Sequence, residues 1–262
     1  MAVPARLEES LSTNTPWLFL SPHLDDAVLS CGSLMDSFAI RRDITVATVF
    51  TEAQPPPHTR AARSFLHQCS GHDAMALFEE RRSEDEAALS GIGARHQHLG
   101  VTDALFRQNR KVRTALGPLA RMLPELVHLY PTYRFDIALG RISRGDRALV
   151  AQLRNRVSNL LEQTEAELLF CPVGVGRHVD HLITRAVGTE FPERVVYYSD
   201  FPYNQSASPD ESFLRKHRLA AWSWETEPAR KERHINQYGS QAPALFPDGA
   251  IPVAPETYYA PS

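Results

Sequence analysis

The chain has 262 residues, of which 43% are hydrophobic and 23% charged, the proportions of an ordinary globular protein rather than a disordered or fibrous one. Its 28 basic and 31 acidic side chains leave a formal charge of -3, which gives no long-range pull on a polyanion and argues against nucleic acid as a partner. Three cysteines (Cys31, Cys69, Cys171) without C-x-x-C spacing argue against a disulfide framework and against a thiolate zinc cluster. No stretch approaches the ~18 consecutive apolar residues of a membrane span, and the opening MAVPARLEESLSTNTP lacks the apolar run of a signal peptide. A cytoplasmic setting is expected.

In chain order, Trp17 to Leu20 is a short apolar run ended by Ser21-Pro22, the pattern of a buried parallel strand. A helix is predicted from Asp25 through Leu34 and Met35 to Phe38, with acids at its start where the macrodipole favours them. Ile44 to Phe50 is a β-branched strand, so the first fifty residues form a βαβ unit with an expected right-handed crossover. From Gln54 to Gly71 the pattern fails at Pro55-Pro56-Pro57, and an irregular loop or lid is expected.

Ala74 to Leu89 reads as a helix stopped by Gly91 or Gly93, followed by a strand from Gln97 to Val101. Helices are expected around 112–129 and 147–162. A buried strand is expected from Leu168 to Val173, then a glycine turn (Gly174, Gly176) into a helix starting near His178. Val195 to Tyr198 is a further strand, and the proline-bearing segment after Gln241 is expected to be an irregular wrap or an extended end. The chain thus reads as one domain over 1–262, an α/β three-layer sandwich on a mainly parallel, Rossmann-like sheet.

In such sheets ligands sit at the carboxyl ends of the strands. Two strand ends here are rich in His and Asp: Ser21-Pro22-His23-Leu24-Asp25-Asp26, and Gly176-Arg177-His178-Val179-Asp180-His181. Each cluster alone has an ordinary reading, a helix cap or a surface H-x-x-H. Together they supply imidazoles and carboxylates from two strand ends, enough for a catalytic zinc with three protein ligands and a water. His96 and His98 would share one face of a strand but lack the further Asp-His of a metal cluster, so they read as structural or solvent-facing. Gly174 and Gly176 do not make a dinucleotide fingerprint, and Cys31 and Cys171 read as small buried residues.

The two clusters resemble the paired signatures of the PIG-L/LmbE family of zinc N-deacetylases. The family's usual His-Pro-Asp-Asp-Glu is varied here by Leu24 and Ala27, while Arg81 to Asp85 and Leu99-Gly100 before Asp103 resemble its middle section. The resemblance implies one Zn2+ per chain, or another divalent metal, held by His23, Asp26 and His181. It implies Asp25 as general base, and a protonated His178 facing the developing oxyanion with Asp180 behind it to orient it. Arg81 matches a substrate-binding arginine, against the plain alternative of a surface arginine paired with Glu84 or Asp85. Asp103 matches an acid that contacts sugar hydroxyls, against the alternative of a turn residue. Some relatives carry an oxyanion tyrosine where this chain has Gly176, so here that help is either absent or supplied from elsewhere, by Tyr203 or Arg177.

The expected activity is removal of an N-acyl, above all N-acetyl, group from an aminosugar-containing metabolite or glycosylated natural product. The rival readings are a zinc amidase acting on a non-sugar conjugate and a noncatalytic binding module.

Overall fold

Trp17–Ser21 forms β1, and every one of its residues is buried, because both faces of this strand are covered. In the computed structural model, which describes residues 5–69, 73–132, 135 and 139–261, β1 lies in the interior of a sheet, flanked by strands on both sides. The other strands are β2 (Ile44–Glu52), β3 (Arg95–Thr102), β4 (Leu168–Pro172), β5 (Val195–Tyr198), β6 (Leu219–Trp224) and β7 (Glu256–Pro261). Among the described residues the sheet runs β3-β2-β1-β4-β5-β7-β6. The first five strands in that order pair in parallel, and β7 is antiparallel to β5 and β6.

Side chains alternate across β1 and β4 as a period of two requires. Trp17, Phe19, Leu168 and Phe170 enter one core with the helix Asp26–Phe38. Leu18, Leu20, Leu169 and Cys171 enter the other with the helices Arg147–Thr164 and Val179–Gly188. Two apolar layers around one sheet make the expected three-layer sandwich. Phe19 and Phe170 stack across the β1–β4 pair at 4.2 Å between ring centroids, so trimming such a phenylalanine to Ala costs about 3–5 kcal/mol.

The order of the strands places the site. From β1 the chain winds outward through β2 and β3, then returns to the other side of β1 as β4. The switch in winding falls between β1 and β4, whose register pairs Trp17 with Leu168 and Phe19 with Phe170. At such a point the loops leaving the two strands diverge and open a crevice beyond their carboxyl ends. The two His/Asp clusters leave these two strands.

The structure departs from the sequence reading at four places. The stretch 112–129 is not one helix: it breaks into Arg110–Leu116, a 3-10 turn at Gly117–Arg121, and Pro124–Val127. Pro118 and Pro124 each remove an N–H that a continuous helix needs. The stretch 54–71 contains the helix Arg60–Gln68, started by Thr59, whose side chain accepts from the Ala62 N–H. The strand β6 was not foreseen. The segment after Gln241 is extended at its end, as β7 inside the sheet, but also forms the short helix Ala242–Leu245. Elsewhere the helix Ala74–Ile92 stops at Gly93, whose φ of +88° suits glycine.

Candidate active site

The β1 loop turns sharply because its own side chains hold it. Ser21 Oγ donates to the His23 carbonyl at 2.6 Å and accepts from Ala27 N at 3.0 Å. Asp26 Oδ2 accepts from His23 N at 2.9 Å. These bonds fold His23 back over the start of the helix, and Asp26 Oδ2 lies 3.0 Å from His23 Nδ1.

Across the switch point, Gly174 and Gly176 take φ of +80° and +78°, values that only glycine adopts without strain. The turn they form delivers His178 and His181 to the same rim. His181 Nε2 ends 3.2 Å from Asp26 Oδ2. His23, Asp26 and His181, read from two stretches over 150 residues apart, therefore do meet.

This arrangement fits a metal ion. Ligands at about 2.0–2.1 Å from a tetrahedral zinc lie about 3.3 Å apart, close to the two spacings around Asp26 Oδ2. His181 is fully buried, and among the described residues its Nε2 makes no well-directed hydrogen bond, only an approach to the Asp26 oxygen at 3.2 Å, an arrangement that a ligand shared by the two atoms would satisfy. Donor atoms of His23, His178 and His181 also lie within 4.8 Å of one another, as do those of His23, Asp103 and Asp180.

The surrounding residues orient this cluster. Asp200 Oδ1 accepts from His181 Nδ1 at 2.6 Å, and its Oδ2 accepts from Gly174 N and Val175 N, both at 2.8 Å. One carboxylate thus fixes the imidazole and the glycine turn together, as carboxylates behind ligating histidines do. Asp180 Oδ2 lies 3.3 Å from His23 Nε2 and accepts from Ala104 N at 2.8 Å. Its Oδ1 accepts from Arg107, which also reaches Asp146, both at 2.5 Å.

The placement of Asp180 alters two expectations. Its carboxylate orients His23, and its link to His178 is through the main chain: Asp180 N donates to His178 Nδ1 at 3.2 Å. That bond leaves the ring proton on Nε2. Burial first, then the charges of His23 and His181, push the His178 pKa well below its ordinary value. This direction runs against the expected protonated His178, while the bond to Asp180 N leaves Nε2 as the ring's donor.

The remaining ionisations follow from the same crowding. Burial would raise Asp26, but the His181 and His23 imidazoles outweigh it and hold the carboxyl well below the usual carboxylate range. Burial would lower His23, but its bonds to Asp180 and Asp26 lift it to about 9. Asp25 is raised to about 7, by burial and then by the Asp26 charge. A carboxyl poised near neutrality in a cleft suits general-base work.

Asp25 and His178 line a cavity of about 300 Å³ that also takes in His23, Asp26, Arg81, Asp103, Gly176 and Tyr203. Leu29, Phe65, Leu105, Phe201 and Leu245 supply its apolar walls. Asp103 is 4% exposed, with its Oδ2 3.5 Å from His23 Nε2. Arg81 is not a surface arginine paired with its helix neighbours. It bonds to Gln241, while Glu84 is taken by Ser240 and Asp85 by Thr48, His98 and Tyr238. At Gly176, a Cβ would meet the Tyr203 ring at 3.5 Å, so Tyr203 occupies the space beside that position and sets its ring edge-on to His181.

His98 bonds to Asp85 and His96 lies half-exposed near Glu86, consistent with structural or solvent-facing roles. Cys31 and Cys171 are buried free thiols, and Cys69 is a partly exposed one. Sequence reading missed Asp200, Arg107 and Gln241. Asp200 had a readable signal, since it follows β5 as Asp25 follows β1; the other two had none.

The fold and this cluster define an α/β protein whose crevice at the switch point holds a site suited to a metal ion. A family model described as GlcNAc-PI de-N-acetylase, PIG-L, matches residues 18–191, and the chain belongs to that family. It is 27% identical over 237 residues to a 2'-N-acetylparomamine deacetylase of Streptomyces fradiae, covering 86% of this chain and 72% of that one. A second 2'-N-acetylparomamine deacetylase, of Niallia circulans, is 27% identical over 206 residues, covering 72% and 68%. Among solved structures, a deacetylase from teicoplanin biosynthesis superposes with a TM-score of 0.70 at 24% identity, covering 94% of this chain and 97% of that one. The A40926 pseudoaglycone deacetylase superposes at 0.64 with 23% identity and the same coverage. These two likenesses establish the fold. No helix among the described residues is long and apolar enough to cross a membrane.

Proposed function

We propose that this N-deacetylase binds one zinc ion per chain through His23, Asp26 and His181, and removes the acetyl group from an N-acetylated aminosugar within a glycosylated small molecule. The observation that carries the reading is the meeting of His23 Nδ1 and His181 Nε2 on one carboxylate oxygen of Asp26, with Asp25 beside it in the cavity. The relatives named for N-acetylparomamine support the sugar amide. The three free cysteines suit a reducing, cytoplasmic setting, and we read the whole chain as one domain around the seven-stranded sheet.

A bound divalent ion supplies Lewis acidity and makes water ionisable near neutral pH. The chain's own residues do the rest. Asp25 takes a proton from the attacking water at its carboxylate and delivers it to the nitrogen of the leaving amine. His178 points its Nε2–H at the acyl oxygen as that atom gains negative charge, a contribution worth about 3–4 kcal/mol for a donor of this kind. Asp200 and Asp180 hold His181 and His23 in the ring orientations the site requires. Arg81 and Asp103 face the rest of the substrate, offering donors and an acceptor to its oxygens and hydroxyls.

The test is acetate release by zinc-loaded protein from methyl N-acetylglucosaminide and N-acetylparomamine, set beside N-acetylated amino acids. Release from the sugars, lost with chelator and restored by zinc, is the expected result. Release from the amino acids alone would redirect the assignment to a non-sugar amidase.

A further inference from the structure

The family match ends at residue 191, yet a segment fifty residues further on reaches the cavity. Residues 238–241 lie along one face of the helix Ala74–Ile92. Tyr238 donates through its hydroxyl to Asp85 Oδ1 at 2.9 Å, and Ser240 donates to Glu84 through its N–H at 2.7 Å and its hydroxyl at 2.6 Å. Glu84 and Asp85 stand three and four residues after Arg81, so all three share that face. The segment is thereby fixed in register, and its next residue, Gln241, meets Arg81.

Gln241 is 5% exposed and lines the cavity. Its Oε1 accepts from Arg81 Nη2, and its Nε2 donates to the carbonyl of Leu24 at 2.7 Å. The amide's orientation is settled by these partners, because a guanidinium only donates and a carbonyl only accepts. Leu24 immediately precedes Asp25. One side chain therefore ties the C-terminal segment to the arginine and to the turn that carries the candidate base.

Arg81 needs such a tie. It is 6% exposed, its guanidinium lies 5.2 Å from the Phe78 ring and 6.0 Å from that of Phe65, and its Nε has no acceptor among the described residues. A buried guanidinium with an unsatisfied donor, lining a cavity, is available to the oxygens of a ligand. Its side chain has several rotatable bonds, and holding it in one pose is what lets it grip without losing that freedom on binding.

We infer that Gln241 is a positioning residue that locks Arg81 onto the Asp25 turn and so sets substrate affinity. The inference rests on the sugar N-deacetylase reading for its kinetic test, and on the protein alone for its spectroscopic one. Its two bonds have separable consequences: the one to Arg81 governs KM, and the one to Leu24 bears on kcat through Asp25.

The kinetic experiment uses the zinc-loaded enzyme and methyl N-acetylglucosaminide. Gln241→Met, close in shape but unable to make either bond, is expected to raise KM about tenfold or more, the usual effect of losing a hydrogen bond to a charged group. Gln241→Glu still accepts from Arg81 but cannot donate to Leu24. It is expected to return KM to within about threefold of the parent while kcat stays reduced. In Arg81→Ala, adding Gln241→Met is expected to change KM less than about twofold, because the partner it acts through is gone.

The second experiment needs no substrate. In nitrogen-15 arginine-labelled protein, with Arg81→Lys identifying the signal, separate slowly exchanging Nη resonances of Arg81 are expected in the parent and in Gln241→Glu, and a collapsed signal in Gln241→Met. Unchanged Arg81 resonances in Gln241→Met overturn the inference, as does a KM effect that adds in full to that of Arg81→Ala. A parent enzyme that ignores the sugar but shows the resonance change overturns the substrate reading and leaves the role of Gln241 standing.

Discussion

Replacing Asp200 with Asn should weaken zinc binding without unfolding the protein, although Asp200 is placed to touch neither zinc nor substrate. The carboxylate serves three donors: His181 Nδ1 at 2.6 Å on one oxygen, and Gly174 N and Val175 N at 2.8 Å on the other. An amide has only one acceptor oxygen. If that oxygen faces the two main-chain N–H groups, the new NH2 faces His181 Nδ1 and drives the ring proton onto Nε2, the atom that faces Asp26. If it faces His181, the NH2 abuts two donors in a site that is 1% exposed. Either arrangement forfeits a charge-assisted bond, about 1.5–3 kcal/mol. At about 1.4 kcal/mol per decade the dissociation constant for zinc should rise about 10- to 100-fold, in line with other losses behind a metal ligand. Competition with a chromophoric chelator measures it, with thermal melting to establish that the variant is folded. A folded Asp200→Asn whose zinc affinity stays within about threefold of the parent would refute the claim that His181 is a ligand held by Asp200.

Two further outcomes follow from the same geometry. Without an ion the Asp25 carboxyl is raised to about 7 by burial and the Asp26 charge, while Arg81 pulls it down. A nearby divalent cation lowers it further, so kcat/KM should rise with pH and level off by about 7. In Arg81→Ala the rise should move to higher pH, because a cation that favours the ionised form is gone; a rise that stays put or moves lower contradicts Asp25 as the base. His178→Ala should lose about 100- to 1000-fold in kcat while keeping its zinc, as removal of one oxyanion donor does elsewhere. Loss of the metal instead would make His178 a ligand.

Much of this was legible in the sequence for a specific physical reason. Parallel strands buried on both faces leave unbroken apolar runs, and Trp17–Leu20 and Leu168–Val173 are such runs. The polar clusters that end them stand out because a helix start rarely needs two carboxylates and an imidazole. Their meeting could be inferred from the rule for doubly wound sheets. What a linear reading lacked was pairing in space. Asp180 sits two residues from His178, so sequence proximity suggested that pair, whereas the helix turns its carboxylate toward His23 and Arg107. The protonation state of His178 depends on burial among other imidazoles, which no local pattern reports. The final segment reads as irregular because its prolines break periodicity, yet β7 is fixed by long-range pairing and Glu256 is buried against the N–H groups of Ser33 and Leu34. Gln241 carries no sequence signal because its role consists of contacts made 160 and 217 residues away.

The position of the ion itself decides the account. Anomalous X-ray scattering from crystals of zinc-loaded protein should show a single peak within about 2.0–2.2 Å of His23 Nδ1, Asp26 Oδ2 and His181 Nε2. A peak on the opposite edge of the His23 ring, shared with Asp103 and Asp180, or no peak in this cleft at all, would contradict the proposed site and the roles assigned around it.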